Sequence, residues 1–383
     1  MALPRVLFIR NGRGITEVTG AETYLMTLMD GLTRVGCTVG LCCSVAPGRL
    51  DAPWLQALRT RGLRHEPVAV GSKLSLADVR AAHTHARAFG ADVIHAMDHR
   101  SDLVAVMVGR LLRIPAVASF FGWTNWQPGS MRARIYPLFD RLAMLGLQRV
   151  IVDSRFIGET LGTAGKRLAV VPNGVDLNRF DPDRACTDLK RRWFGDEPVI
   201  LVGMVGRIHP NKGQHEFARA ASLLLQRRPE TRFVVIGDAP SGYEDYLATL
   251  TRLIVEYGLE KRFKIINLPS AEIPDAMASL DVLAAPSYME SLSYVLLEAM
   301  AMRTPVVTSR VGGHGELITD SEDGLLIEPG DPEGLAAALE RLVSNAELRR
   351  RLGLAGRKRV EAGYSTDAMV KRTLEIYSEV IAR

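Results

Sequence analysis

The sequence predicts an α/β protein made of two doubly wound, Rossmann-like domains. Short runs rich in β-branched residues alternate with helical patterns, which is typical of parallel sheets covered by helices on both faces. This alternation occurs in two series. The first has candidate strands at 6–9, 39–44, 93–95, 116–120, 149–152 and 168–171, and the second at 199–205, 232–236, 263–266, 282–285, 305–308 and 324–327. The 383 residues are also too many for one ordinary core.

Turn-forming residues dominate both ends of the segment 172–198, which separates the two series. We therefore predict an N-terminal domain over 1–175 and a C-terminal domain over 176–365. Apolar residues at helical spacing in 366–383 predict a last helix that packs back on the first domain. Two such domains are expected to leave a central cleft, where the carboxyl ends of the strands of both sheets face each other. Ligands of doubly wound sheets bind at these strand ends.

Composition narrows the functional class. The chain is 47% hydrophobic and 24% charged with a net charge of +5, as expected of a globular protein without a nucleic-acid module. No apolar run has the length of a membrane span, and no signal peptide is recognisable, so a cytoplasmic location is expected. The cysteines show neither metal spacing nor a disulfide framework, and no metal site is predicted.

Two glutamates mark the segment most informative about function. Glu290 and Glu298 stand eight positions apart, with a helix start between them and helix formers from Tyr294 to Ala301. Their carboxylates are then roughly 12 Å apart along the helix axis. This span suits the ribose and sugar hydroxyls of a nucleotide diphospho-sugar, with the diphosphate at the helix N-terminus. A surface helix that happens to carry two glutamates is the alternative.

The loop after the strand 199–205 supplies fixed cations. Gly206 is followed by Arg207 and, before the next helix, by Lys212. Arginine grips phosphate oxygens with two donors and lysine adds a point charge, so the pair could stabilise a departing diphosphate. A polar turn with solvated cations is the alternative.

Loops of the first domain offer weaker candidates. Gly20 would let backbone amides approach a phosphate or sugar closely at a helix start. Asp98 and His99 follow a strand, and Trp123 follows another, so these three are candidate sugar or acceptor contacts. For each loop, a structural role is the alternative.

Five motifs in order resemble the retaining glycosyltransferases of family 4, which have the GT-B fold, over nearly the whole chain. They are TGAE at 19–22, DVIH at 92–95, VPNGVD at 171–176, GRIHPNKG at 206–213 and PSYMESLSYVLLEAM at 286–300. The resemblance implies a metal-independent hexosyltransferase without a cofactor, since the nucleotide diphospho-sugar is a substrate. It also implies that the anomeric configuration is retained and that the diphosphate itself takes the acceptor proton.

The resemblance also implies roles for the two domains and for single residues. The domain over 1–175 would bind the acceptor, and the domain over 176–365 would bind the nucleotide sugar. Arg207 and Lys212 would bind the diphosphate, Glu290 the donor sugar and Glu298 the ribose hydroxyls. The loop holding Gly20 would close over the donor. Backbone groups would contact the sugar, the phosphates and, near Asn267, the nucleobase; on the glutamate segment they belong to Ser291, Leu292, Ser293 and Tyr294.

One departure from the family pattern bears on activity. Many members carry a histidine in a TxHG segment that reaches the donor sugar, whereas Phe121 takes that place here. If the leaving phosphate accepts the proton, activity survives without this histidine. We therefore predict a transferase that moves a sugar from a UDP- or GDP-sugar, such as GDP-mannose. A nucleotide-sugar 2-epimerase of similar fold and a non-catalytic nucleotide-sugar-binding protein are the alternatives.

The predicted acceptor is a glycan or lipid-linked sugar in exopolysaccharide, lipopolysaccharide or other cell-envelope synthesis. The first domain carries Trp54, Arg59, Arg61 and Arg64, and a second basic and aromatic group follows Phe121. Both groups predict peripheral contact with an anionic membrane. That surface would be the inner face of the cell membrane.

Overall fold

The computed structural model describes residues 3–15, 18–69, 76–122, 143–161 and 167–382. The chain forms two compact units, one of Met1–Gly174 with Thr366–Arg383 and the other of Val175–Ser365. Each unit is built on a parallel sheet. The predicted α/β class with two Rossmann-like domains is confirmed.

The N-terminal unit has seven described strands in the order β3-β2-β1-β4-β5-β6-β7. Its strands are β1 (Arg5–Asn11), β2 (Thr38–Val45), β3 (His65–Ala69), β4 (Val93–Ala96), β5 (Ala116–Phe120), β6 (Arg149–Val152) and β7 (Leu168–Val170). Its helices are α1 (Gly20–Arg34), α2 (Pro53–Thr60), α3 (Leu76–Phe89), α4 (His99–Leu112), α5 (Arg155–Leu161) and the last helix of the chain, α14 (Thr366–Ile381).

Helix α14 is tied to this sheet by a buried polar network. The His95 ring contacts the Tyr377 hydroxyl at 2.5 Å through Nδ1 and the Ser119 hydroxyl at 2.8 Å through Nε2. Ser119 donates in turn to the Tyr24 hydroxyl at 3.0 Å. Burial lowers the pKa of His95 to about 3, so the ring is neutral and shares its single proton within the network.

The C-terminal unit has six described strands in the order β10-β9-β8-β11-β12-β13. They are β8 (Ile200–Val205), β9 (Thr231–Ile236), β10 (Phe263–Ile266), β11 (Val282–Ala285), β12 (Val306–Ser309) and β13 (Leu325–Ile327). The helices are α6 (Leu189–Phe194), α7 (Gln214–Leu225), α8 (Glu244–Glu256), α9 (Ile273–Ser279), α10 (Tyr294–Ala301), α11 (His314–Leu317), α12 (Pro332–Val343) and α13 (Ala346–Gly363).

Both faces of this second sheet are buried. Successive side chains of a strand point to opposite faces, and helices cover each face. Val202 and Val282 point to one face and pack with Phe217 of α7 and Leu339 of α12. The neighbouring Leu201 and Leu283 point to the other face and pack with α10. The core therefore fixes both ends of each strand and, with them, the loops that follow.

Two expectations for the N-terminal unit change. Strand β3 was not predicted, because its sequence HEPVA contains a proline and shows little apolar pattern. The sheet tolerates this proline because β3 is an edge strand. Trp54 is 1% exposed and its ring lies against Gly12, so it does not belong to the predicted membrane surface. Trp123 and the basic and aromatic group after it lie outside the described residues. Within the described part of the chain, no helix is long and apolar enough to cross a membrane.

Candidate functional site

The strand order of the C-terminal unit creates a crevice at one point of the sheet. Strands β8 and β11 are neighbours, but the chain leaves β8 toward β9 and leaves β11 toward β12 on the opposite side. At such a switch point the two following loops diverge, and ligands of doubly wound sheets bind there. The loops after β8 and β11 are the two that carry Arg207, Lys212 and Glu290.

Backbone contacts fix the loop after β8. Gly206 has φ of 137° and donates its N–H to the Ile236 carbonyl at 2.9 Å. Gly237, at the end of the neighbouring strand, lies so close that a Cβ there would sit 2.0 Å from the Gly206 carbonyl oxygen. Ile208 is buried, and the Arg207 guanidinium beside it makes no hydrogen bond or ion pair with the described residues. The loop thus holds a cation that is available to a ligand.

A short 3-10 turn, Pro210–Lys212, presents Lys212 toward the loop after β11. The His209 ring caps this turn by accepting the Asn211 N–H at 3.1 Å. Gly213 follows with φ of 76°, and its backbone lies against the Pro286 carbonyl, where a Cβ would approach to 2.2 Å. This glycine contact sets the distance between the two loops.

Lys212 and Glu290 form an ion pair across the crevice. The Lys212 ammonium donates to Glu290 Oε1, and the Ser287 hydroxyl donates to the same oxygen at 3.0 Å. The side chains are 24% and 14% exposed. Burial raises the pKa of Glu290, but attraction to Lys212 and the hydrogen bonds from Lys212 and Ser287 outweigh it, so the pKa lies below its ordinary value. Glu290 is therefore ionised at neutral pH.

Helix α10 begins between the two glutamates, as predicted. Ser293 is its N-cap with extended backbone, Leu292 is buried, and Tyr294 is the first helical residue. The free N–H groups and the positive end of the helix dipole favour an anion beside Glu290. The Ser291 carbonyl accepts the Gly313 N–H at 2.6 Å. This hydrogen bond ties the segment before α10 to the loop after β12.

Glu298 lies on α10, and its carboxyl has an unusual affinity for protons. Burial raises its pKa to about 7, and attraction to Arg179 opposes the shift without cancelling it. The carboxyl is therefore partly protonated at neutral pH. A ligand whose hydroxyls donate hydrogen bonds to it would favour the charged form.

The loop after β12 packs against the backbone of the glutamate segment. The sequence analysis did not identify this loop. Gly312 has φ of 51°, and a Cβ there would lie 1.8 Å from the Glu290 carbonyl oxygen. His314 follows at the start of α11, fully buried. A pair of glycines after a strand and before a helix was the signal that could have found this loop.

Asn267 lies on the loop after β10, two strands away from β8 in the sheet. Its side-chain amide donates to Asp238 Oδ2 at 3.2 Å, which joins the loops after β10 and β9. Asn267 is exposed.

The described candidates of the N-terminal unit, Gly20, Asp98 and His99, follow β1 and β4, the two strands at the equivalent switch point. Gly20 is the first residue of α1 and is exposed, while Thr19 and Glu22 form a capping box. Glu22 is buried and pairs with Arg10 at 2.5 Å. These polar groups stabilise the start of α1.

Asp98 is engaged in local structure. Its carboxylate caps α4 by accepting the N–H groups of Arg100 and Ser101, and it also accepts the Asn11 N–H at 2.7 Å. His99 is the first residue of α4. Phe121 packs edge-on against Tyr24 with ring centroids 4.8 Å apart. Trp123 is outside the described residues.

The residues that the structure describes include no group of three or more His, Cys, Asp or Glu side chains that could hold a metal ion. The polar chemistry of the C-terminal crevice instead consists of Arg207, Lys212, the two glutamates and the helix N-terminus.

Two family profiles match consecutive parts of the chain. Residues 18–179 match Glycosyltransferase Family 4, and residues 187–359 match Glycosyl transferases group 1. The fold is that of a GT-B protein. The chain belongs to glycosyltransferase family 4.

Curated relatives include two D-inositol 3-phosphate glycosyltransferases. The protein of Salinispora tropica is 34% identical over 260 residues, which is 62% of this chain and 54% of that protein. The protein of Corynebacterium efficiens is 35% identical over 218 residues, which is 56% of this chain and 51% of that protein. The chain thus spans about half the length of the curated relatives it matches.

Solved structures with the same fold include Anabaena Alr3699/HepE in complex with UDP and a glycosyltransferase from Rickettsia africae. The first has a TM-score of 0.83 at 22% identity and covers 98% of this chain and 100% of that one. The second has a TM-score of 0.84 at 18% identity and covers 98% of this chain and 99% of that one. At these identities the likeness shows the GT-B fold.

Replacing Gly312 with alanine is expected to disrupt the site. The added Cβ would meet the Glu290 carbonyl, and a left-handed backbone costs a non-glycine residue about 1–2 kcal/mol before that clash is counted. We expect a lower Tm in thermal unfolding. Gly315→Ala is the matched control, because its Cβ would meet nothing within 4 Å. Equal Tm values for the two variants would contradict the described contact.

Proposed function

We propose that the chain transfers a sugar from a nucleotide diphospho-sugar to a hydroxyl of an acceptor, with retention of the anomeric configuration. The observation that carries this proposal is the Lys212–Glu290 ion pair at the N-terminus of α10, with Glu298 eight residues further along. One helix thus offers an anion site between two carboxylates that can accept hydrogen bonds from hydroxyls.

The donor would bind along α10. Glu298 would accept the ribose hydroxyls, the helix N-terminus and the 291–294 amides would hold the diphosphate, and Glu290 would accept hydroxyls of the sugar. The crevice has the charges for this arrangement, because Arg207 has no partner among the described side chains and Lys212 has only Glu290. The backbone near Asn267 would contact the base.

Bond cleavage at the anomeric carbon moves the bonding electrons onto the diphosphate. Arg207 and Lys212 would stabilise this growing charge, the part that a metal ion plays in other transferases. The acceptor hydroxyl then attacks from the same face, and its proton passes to the leaving phosphate oxygen. This route needs no histidine at the position of Phe121.

The donor is proposed to be a UDP- or GDP-sugar. Support for UDP comes from Alr3699/HepE, a structural neighbour solved with UDP and with UDP-glucose. Another neighbour of the same fold is the lipopolysaccharide outer core galactosyltransferase WaaB. We propose an acceptor of this general kind, a glycan or lipid-linked sugar of the cell envelope, with the protein in the cytoplasm at the inner membrane surface.

Replacing Lys212 with alanine tests the proposal. The change removes a cation from the leaving group and should cost at least about 2 kcal/mol of transition-state stabilisation, roughly thirtyfold in rate. Release of UDP from UDP-glucose and of GDP from GDP-mannose is measured with water as acceptor. The exposed Lys261→Ala is the matched control. A rate equal to that of the control, or donor binding without turnover in the unmodified chain, would contradict the proposed catalysis.

Donor affinity should depend on pH through Glu298. Its pKa of about 7 in the free protein means that lowering the pH from 8 to 6 protonates the carboxyl, and the neutral carboxyl is a weaker acceptor for the ribose hydroxyls than the carboxylate. The affinity for UDP-glucose or GDP-mannose, relative to that of Glu298→Gln, should therefore fall as the pH falls through 7. Isothermal titration calorimetry measures both proteins. Parallel pH profiles for the two would exclude Glu298 from donor binding.

A further inference from the structure

His314 is held in one orientation by its Nδ1 atom. This nitrogen lies 2.9 Å from the Thr308 hydroxyl and 3.2 Å from the Ser309 carbonyl. The Thr308 hydroxyl donates its own proton to the Ala285 carbonyl at 2.9 Å, so its oxygen is free to accept. With acceptors on both sides, Nδ1 carries the proton of the neutral ring, and Nε2 is a bare acceptor.

Nε2 is buried and lacks a hydrogen-bond partner among the described residues. The ring is 0% exposed, so this nitrogen is an orphaned polar atom inside the protein. Such atoms are costly, and an explanation is expected in the function of the site.

The backbone around His314 is tied to the glutamate segment. Gly312 lies against the Glu290 carbonyl, and Gly313 donates to the Ser291 carbonyl at 2.6 Å. Two charged groups from other elements act on the ring, Glu290 from the loop after β11 and Lys212 from the turn after β8. On its own short helix, Glu316 is the neighbouring acid.

The net effect of burial and of the neighbouring charges is a lowered pKa of His314, which favours the neutral ring in the free protein. Burial lowers the pKa of His314 most, attraction to Glu290 raises it, and repulsion by Lys212 lowers it again. Under the proposed function Lys212 turns to the diphosphate of the donor. Glu290 then loses its cation, and the charge of Lys212 is offset by the diphosphate.

We propose that His314 is a positioning residue of the donor site, which takes up a proton from solvent at Nε2 when the donor draws Lys212 away from Glu290. The imidazolium then replaces Lys212 as the counter-charge of Glu290 and keeps that carboxylate ionised and in place against the sugar. This role rests on the proposed function and adds a residue to it that contacts neither the sugar nor the phosphates.

Proton uptake during binding tests this role. UDP-glucose and GDP-mannose are titrated into the full chain at pH 7 in buffers of different ionisation enthalpy, since their diphosphates do not titrate near this pH. The slope of the binding enthalpy against the ionisation enthalpy gives the net number of protons taken up, and the proton release expected from Glu298 is common to the unmodified chain and its His314 variant. His314→Asn keeps an amide donor at the position of Nδ1 but has no titrating nitrogen. We expect it to take up fewer protons than the unmodified chain, by as much as one per donor bound.

The control is His215→Gln, a half-buried histidine of the same unit whose ring contacts the Tyr246 carbonyl. Its slope should match that of the unmodified chain. Equal slopes for His314→Asn and the unmodified chain would overturn the role of His314 while leaving donor binding intact. Absence of binding by either donor to the unmodified chain would overturn the proposed function, and this role with it.

Nitrogen NMR of the unmodified chain labelled with ¹⁵N-histidine gives a second readout that needs no variant. A histidine with the Nδ1–H tautomer should become doubly protonated when the donor is added. If each such histidine keeps its neutral tautomer in the complex, the proposal is wrong.

Discussion

The Lys212–Glu290 ion pair spans the point where the sheet of the C-terminal unit reverses its winding. Each partner belongs to a loop that leaves one of two neighbouring strands, and close backbone contacts hold these loops together. Gly213 lies against the Pro286 carbonyl, and the Tyr288 N–H donates to the Asn211 carbonyl at 2.8 Å. Gly312, on the loop after β12, supports the Glu290 backbone from a third loop. Without these contacts the two charges would lie apart. The pair also keeps both charges neutralised until a stronger anion competes for Lys212.

The two units share one architecture but use their polar groups differently. At the switch point of the N-terminal unit, Asp98 caps a helix and Glu22 is paired with Arg10, so these charges stabilise structure. In the C-terminal unit, Arg207 has no partner among the described residues, and Glu298 has a raised pKa that a hydroxyl-bearing ligand would lower. This difference in unused hydrogen-bonding capacity is the physical reason to assign the donor to the C-terminal unit.

Much of this organisation was predictable because it depends on local sequence patterns, namely apolar runs for the strands and helix-forming residues for the helices. Apolar runs located twelve of the strands, and the helix from Tyr294 to Ala301 has the predicted bounds. The edge strand around Pro67 was missed because its own residues do not favour a strand. It is a strand because it pairs with β2. The support given by Gly312 and His314 was missed for a related reason. Their role depends on contacts with a segment twenty or so residues away, which no spacing along the chain reveals. Trp54 was placed at a surface because its type suits an interface, while tertiary packing buried it.

The most direct test of the account is a crystal structure of the chain with UDP-glucose or GDP-mannose bound. The account predicts the diphosphate at the N-terminus of α10, Lys212 and Arg207 on its oxygens, Glu298 on the ribose and Glu290 on the sugar, with the Lys212–Glu290 ion pair broken. A nucleotide bound elsewhere, or bound here with that ion pair intact and Arg207 turned away, would contradict the account.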